Sequence, residues 1–302
     1  MVLSGYCCVS CIIDDVVGAL LPIVENDQLR QKVLKACLRY LEEEFSLHEV
    51  PSTYITGVHR ILKDITGISI PYADLRRKCN EIGMIIAEKV SQNLDSQDPF
   101  IRFEKLVRWA IAGNELDFRT VGTGYEIDVA HIEALLEECV NRPLVVNHLP
   151  EIFALVQQAR RILYVPDNVG EIAFDLQLIR EIKGRDKQIF FPLRGGPITS
   201  DATIEDGEFV NAAKIVSEVF KAGPDTLGIS MAEKSERLTY ELNQADLIIC
   251  KGQANFYTFS EFKDSFPGSI VSLLRTKCDW ATSYFSQSGK INIAAVLKKK
   301  AQ

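Results

Sequence analysis

Three short stretches carry side chains suited to chemistry on an anion. The first is Pro166-Asp167-Asn168-Val169-Gly170-Glu171, directly after the apolar run Arg161 to Val165. Asp167 and Asn168 side by side offer hard oxygen ligands for a divalent cation, and Gly170 permits an unusual turn. The same residues also suit a plain cap on the helix that follows. The second stretch, Arg194 to Asp206, follows the run Gln188 to Leu193 and presents Asp201 near a helix start. If the two runs are neighbouring strands, Asp167, Asn168 and Asp201 place two carboxylates and an amide oxygen around one cation, a set that suits Mg²⁺ or Mn²⁺. Read alone, Asp201 also fits a helix cap. The third stretch is Lys251-Gly252-Gln253-Ala254-Asn255-Phe256, after Asp246 to Cys250. Gly252 lets backbone amides approach an anion, the next helix points its positive end there, and Lys251 adds a compact charge. It reads as a phosphate cradle, with a solvated surface loop as the plainer alternative. Together the stretches point to metal-assisted chemistry on a phosphate. GxxxxGK[ST] is absent, as is a GxGxxG that opens a helix after a strand, which argues against P-loop and dinucleotide chemistry.

The elements that must position these residues differ between the two halves of the chain. From Gln28 to Phe45, Leu29, Val33, Leu34, Cys37, Leu38, Leu41 and Phe45 recur at steps of three and four, the spacing of one helical face. Leu75, Cys79, Ile82, Ile85, Ile86 and Val90 repeat the pattern, as do Phe103, Leu106, Val107, Ala110 and Ile111. Past residue 158 the texture changes to short apolar runs: Arg161 to Val165, Gln188 to Leu193, Lys214 to Phe220, Asp246 to Cys250, Ser269 to Leu274 and Ile291 to Val296. Most read as strands, separated by helical stretches such as Ile172 to Ile182 and Glu233 to Asn243. The predicted architecture is therefore α/β: a three-layer α/β/α domain with a mainly parallel sheet (150–302), preceded by an all-helical domain (1–149). In such sheets ligands bind outside the carboxyl ends of the strands, where all three stretches fall.

Composition narrows the partners. The 302 residues hold 34 Lys+Arg against 41 Asp+Glu, a formal net charge of -7, which leaves no broad basic surface for a nucleic-acid backbone. The first basic residue is Arg30, so the amino terminus lacks the positive flank of a secretory leader. Uncharged stretches such as Val16 to Val24 fall short of the roughly 20 residues a membrane helix needs. A cytoplasmic protein without nucleic-acid or membrane partners is expected, its oligomeric state not legible. Eight cysteines in a chain this long read as thiols or ligands rather than as a disulfide scaffold. His48, His59, His131 and His148 are scattered, with no pair at metal-ligand spacing. No internal repeat occurs, and the runs Glu42 to Glu44 and Lys298 to Lys300 read as solvated.

The runs DNVGE (Asp167 to Glu171), GPITSDATIED (Gly196 to Asp206) and KGQANF (Lys251 to Phe256) resemble the damage-control metal-dependent phosphatases, long catalogued as a domain of unknown function, number eighty-nine. GNELDF (Gly113 to Phe118), LLRTKC (Leu273 to Cys278) and Cys8-Val9-Ser10-Cys11 extend the resemblance, in family order, over nearly the whole chain. The CxxC start and short length look like the stand-alone microbial branch, rather than the forms fused to pantothenate kinase or the eukaryotic sugar-phosphate branch. One departure is Ser200, where relatives commonly have Asn before the acid. The resemblance implies that Asp167, Asn168 and Asp201 hold a divalent metal ion (Mg, Mn, Co or Ni). It likewise implies that Lys251, Gly252, Asn255 and Lys277 contact the substrate phosphate, and that Asn114 and Asp117 reach in from the helical domain. Asp167 is the nucleophile if the route is covalent, whereas Glu171 is either a base or a favourable charge at a helix start.

The implied activity is phosphatase action on a small phosphorylated metabolite, such as a sugar phosphate or nucleotide. Two other functions remain open: a noncatalytic module that binds a phosphometabolite, and an S-adenosylmethionine-dependent carboxyl methyltransferase. The latter usually has a glycine-rich turn where this chain has Asp167-Asn168. Cys8 and Cys11 supply half of a four-thiolate zinc site, which Cys278 would have to join; buried thiols in a helical core are the alternative.

Overall fold

A computed structural model describes residues 2–117 and 129–300; Phe118, the last residue of GNELDF, lies outside them. Along the chain run α1 (Tyr6–Ile23), α2 (Asp27–Glu44), α3 (Pro51–Thr66), α4 (Ala73–Gln92), α5 (Pro99–Ala112), α6 (Val129–Asn141), β1 (Leu144–Asn147), α7 (Leu149–Gln158), β2 (Arg161–Val165), α8 (Glu171–Ile182), β3 (Gln188–Leu193), α9 (Ile204–Phe209), β4 (Glu218–Lys221), α10 (Glu236–Gln244), β5 (Leu247–Lys251), α11 (Gln253–Glu261), β6 (Ser269–Arg275), α12 (Asp279–Ser283) and β7 (Asn292–Lys298).

The helices begin and bury as their sequences dictate. Asn26 caps α2 by accepting from the Leu29 amide, and Asp98 caps α5 ahead of Pro99, whose missing N–H costs nothing in a first turn. Val33, Cys37 and Leu41 of α2 are buried, as are Cys79, Ile82, Ile86 and Val90 of α4. Leu38 and Ile85 depart from the predicted stripes: each is 48 % exposed. Each is the chain neighbour of a buried stripe residue, and successive helical positions point about 100° apart, so only one of the two reaches the core. By length and composition α1 would suffice to cross a bilayer, yet Asp15 in its middle pairs with buried His59 of α3.

The sheet runs β1-β7-β6-β5-β2-β3-β4, parallel at every pairing except β6 with β7. Strands β2 and β3 coincide with their apolar runs. β4 begins later than the run from Lys214, because Ala212–Lys214 forms a 3-10 turn instead. β1, whose short LVVN run was not read as a strand, pairs parallel to β7 and lies on the helical side of the expected division at 150.

Both faces of the sheet are covered, and the pleat sorts the side chains. Ile162 and Tyr164 of β2 join one buried cluster with Ile172 and Ile179 of α8 and Leu106 and Ala110 of α5. Leu163 and Val165 join another with Leu238 and Leu242 of α10 and Phe259 of α11. Helices α4 and α5 pack on α8, and α3 touches α11, so the helical half shares the core of the sheet. From β2 the chain moves outward to β3 and β4 in one direction and through β5 and β6 in the other. The crevice at the carboxyl ends of β2 and β5 is the switch point at which such sheets bind ligands.

Candidate active site

The turn after β2 and the loop after β3 are joined directly. Val169 N donates to Ser200 O (2.9 Å) and Ala202 N to Asp167 O (2.8 Å), which sets Asn168 opposite Asp201. Asp167, Asn168 and Asp201 are all buried, at 3 %, 2 % and 1 % exposure, and all line one cavity of about 600 Å³. The three residues that sequence reasoning assigned to a metal are thus brought together.

Charge in this cluster is strained. Burial pushes the Asp167 carboxyl well above the usual range; Asp201 and Glu171 push it further, and Lys277 and Arg194 offset only part of this. Asp201 is also raised by burial, against the opposing pull of Arg194 and of the Gly228 amide. Arg194 Nε and Gly228 N both donate to Asp201 Oδ2, at 2.9 and 2.7 Å. Ser200 Oγ lies 2.7 Å from Asp117 Oδ1 and 2.8 Å from Asn168 Oδ1. Its single proton serves one of these oxygens at a time.

The donor set fits a hard divalent cation: two carboxylates raised by burial, Asp167 further by the Asp201 charge, and an amide oxygen that competes for one hydroxyl proton. Among the described residues no three His, Cys, Asp or Glu side chains form a group that could hold a metal ion. Cys8, Cys11 and Cys278 line the same cavity without forming such a group, and burial pushes the Cys8 thiol up to about 11. The thiol-based second metal site is therefore not what this geometry holds.

The phosphate cradle read from Lys251, Gly252 and Asn255 requires correction. Lys251 is fully buried, and its Nζ donates to Ala110 O (2.8 Å), Glu171 Oε1 (2.6 Å) and Asp175 Oδ1 (2.7 Å). An ammonium has three N–H groups, and all are used beneath the cavity rather than in it. Asn255 is equally saturated: its amide donates to Pro166 O and Lys251 O, and its oxygen accepts from Arg194 and Ile229 N. Gly252 donates its amide to Leu273 O; its role is space. Its φ is 75°, and a Cβ there would lie 1.8 Å from Asp167 Oδ2.

Lys277 does line the cavity, as does Asp117, with whose Oδ2 its Nζ pairs. Asn114 is buried beside the cluster, its oxygen 3.5 Å from Asn168 Nδ2, but does not line the cavity. Glu171 has both oxygens engaged, by Lys251 and by Asn168 Nδ2 (2.8 Å). It stands at the first position of α8, where a negative charge is favourable.

Sequence reasoning missed Arg194, Arg76 and Asn80. Arg194 is 1 % exposed and grips Asp201; a charge placed at once after the buried strand QIFFPL was its only sequence mark. Arg76 of α4 donates to the carbonyls of Thr199 and Asp201 and pairs with Asp206, while Asn80 accepts from Gly170 N (2.7 Å) and donates to Asp206. Both sit on a helix whose pattern showed only amphipathicity.

Comparison with known proteins decides the family. Residues 5–290 match the family described as the damage-control phosphatase ARMT1-like domain. The chain belongs to that family. It is 34 % identical over 273 residues to an uncharacterized protein of Methanocaldococcus jannaschii, covering 90 % of this chain and 88 % of the relative. It is 30 % identical to a damage-control phosphatase of Archaeoglobus fulgidus, covering 90 % of this chain and 91 % of that protein. The crystal structure of a DUF89 family protein from Pyrococcus horikoshii superposes with a TM-score of 0.86 at 26 % identity, over 99 % of this chain and 100 % of that one. In this ARMT1-like chain the acid cluster thus sits at the switch point of a fold shared end to end with a DUF89 protein.

Proposed function

We propose that this protein is a divalent-metal-dependent phosphatase acting on small phosphorylated metabolites, sugar phosphates and nucleotides among them. The observation that carries the reading is the convergence of Asp167, Asn168, Asp201 and Lys277 on one cavity at the carboxyl ends of β2, β3 and β6. The relatives named damage-control phosphatases support it. Asp167, Asn168 and Asp201 would hold Mg²⁺, Mn²⁺, Co²⁺ or Ni²⁺; such an ion, when bound, supplies Lewis-acid polarisation of a phosphoryl oxygen. Lys277 neutralises phosphate charge, and Asp117 fixes its position. Asp201 Oδ2 is tied to Arg194 and Gly228, which leaves Asp167 the better nucleophile for a covalent route. The cavity lining also includes Ile12, Ile55, Leu227 and Trp280, and its volume of about 600 Å³ gives room for more than a phosphate group.

The test is phosphate release from p-nitrophenyl phosphate and a sugar-phosphate panel, after chelation and after restoring each metal, for wild type and Asp201→Ala. Release should return with metal in the wild type and not in the variant. Equal release from chelated protein, or none with any metal, overturns the reading; phosphate binding without release would favour a noncatalytic module.

A further inference from the structure

Thr199 is held in a costly state. It is 3 % exposed, and its Oγ1 is the only buried side-chain polar atom without a hydrogen-bond partner among the described residues lining the cavity. Its backbone φ is 45°, in the left-handed region that a β-branched residue avoids. A buried hydroxyl without a partner and a strained backbone each cost stability. Glycine would remove the strain, and valine would keep the shape without the hydroxyl.

The fold nonetheless clamps this conformation. Arg76, buried at 4 % exposure, donates from Nη1 to Thr199 O (2.9 Å) and from Nη2 to Asp201 O (2.8 Å), pinning the carbonyls on either side of Ser200. The residue so fixed borders the same cavity as Asp167, Asn168, Asp201 and Lys277. Beside the acids the side-chain donors are already engaged: the Lys277 ammonium pairs with Asp117, and Asn168 Nδ2 donates to Asp167 and Glu171. A carboxylate, when ionised, is an acceptor only, and the Ser200 proton is already shared between Asp117 and Asn168. A phosphoryl group brings several strong acceptor oxygens and needs donors beyond the Lys277 ammonium.

We propose that Thr199 is a substrate-binding residue whose hydroxyl, by rotation about χ1, donates a hydrogen bond to a phosphoryl oxygen of the ligand held beside Asp167, Asn168 and Asp201. The ligand class rests on the phosphatase reading above; the free donor and the strained turn do not.

Three variants separate this role from a structural one: Thr199→Val, Thr199→Ser and Thr199→Gly. Each is compared with the wild type for inorganic phosphate affinity by calorimetry in Mn²⁺, for kcat and KM on p-nitrophenyl phosphate, and for thermal midpoint. Thr199→Val should weaken phosphate binding and lower kcat/KM by about 10-fold or more, the loss of one hydrogen bond to a charged acceptor. Its midpoint should be equal to or above that of the wild type. Thr199→Ser should recover most of both, and Thr199→Gly should raise the midpoint while losing affinity. Wild-type affinity and turnover in Thr199→Val overturns the proposal and leaves the phosphatase reading intact, as does a loss of activity that tracks a lowered midpoint and is not rescued by Ser. A wild type that binds phosphate without hydrolysing it sinks the phosphatase reading, with Thr199 still judged on affinity. A wild type that binds no phosphate sinks both.

Discussion

Lys251 shows how a correct motif can carry a different job from the one its loop suggests. Burial alone would lower its pKa, but the charges of Asp175 and Glu171 outweigh burial and hold the ammonium ionised. Removing a buried cation leaves its carboxylates uncompensated, which costs far more than the net worth of the pair. Lys251→Met should therefore cost about 3–5 kcal/mol of stability in urea unfolding, rather than act as a selective loss of substrate affinity. Wild-type stability with a raised KM would restore the direct phosphate contact. Gly252 next to it serves Asp167 by absence. Gly252→Ala forces a methyl onto the Asp167 carboxylate at a left-handed φ, so Mn²⁺ affinity measured by calorimetry should fall about 10- to 100-fold, the usual cost of disturbing a ligand's support.

At the scale of elements, two helices of the amino-terminal half hold the loops that carry the acids. α4 reaches the turn after β2 so closely that a Cβ at Gly83 would lie 2.3 Å from Gly170 O. Gly83→Ala should lower stability by about 1–3 kcal/mol through overpacking, read as a lowered thermal midpoint. α3 grips the segment after β4, where Lys63 and Arg60 both pair with Asp225. Burial acts to raise the Asp225 carboxyl, but the Lys63 hydrogen bond and the charges of Lys63 and Arg60 prevail and hold it below its ordinary 3.8. A carboxylate with a lowered folded pKa contributes stability above its unfolded pKa, and that contribution is lost as pH falls through the folded value. Asp225→Asn should thus cost about 1–2 kcal/mol at pH 7, with the gap to wild type closing below about pH 3.8. A gap that stays constant to pH 2 would show that charge plays no part.

At the scale of the molecule, the site is assembled from both halves around one shared core. Ile12 of α1, Ile86 of α4, Leu136 of α6, Tyr164 of β2 and Ala294 of β7 belong to a single buried cluster. Unfolding either half should dismantle the cavity, so calorimetry should show one cooperative transition. Metal that binds only the native state should raise stability by about 2.7 kcal/mol at a hundred times its Kd. That gain should vanish with a chelator and in Asp201→Ala. Two separate transitions, or an equal gain in the variant, would contradict this picture.

What the amino-acid pattern determined was whatever depends on neighbours along the chain. Strands β2 and β3 were legible because the unbroken apolar runs Ile162 to Val165 and Ile189 to Leu193 suit a sheet buried on both faces, and α2, α4 and α5 because their stripes repeat every three or four. Asp167, Asn168 and Asp201 were legible because each follows a strand end. β1 escaped because four residues give no period to read, and β4 was legible but begins later than its run, which opens at the end of a 3-10 turn. Only the tertiary structure decided direction and partnership. A lysine after a strand points up into the crevice or down beneath it according to which carboxylates other elements place there, and Glu171 and Asp175 of α8 draw Lys251 down. Arg76, Asn80 and Arg194 gained their roles from contacts across 125, 90 and 61 residues of chain, separations at which local pattern carries no information.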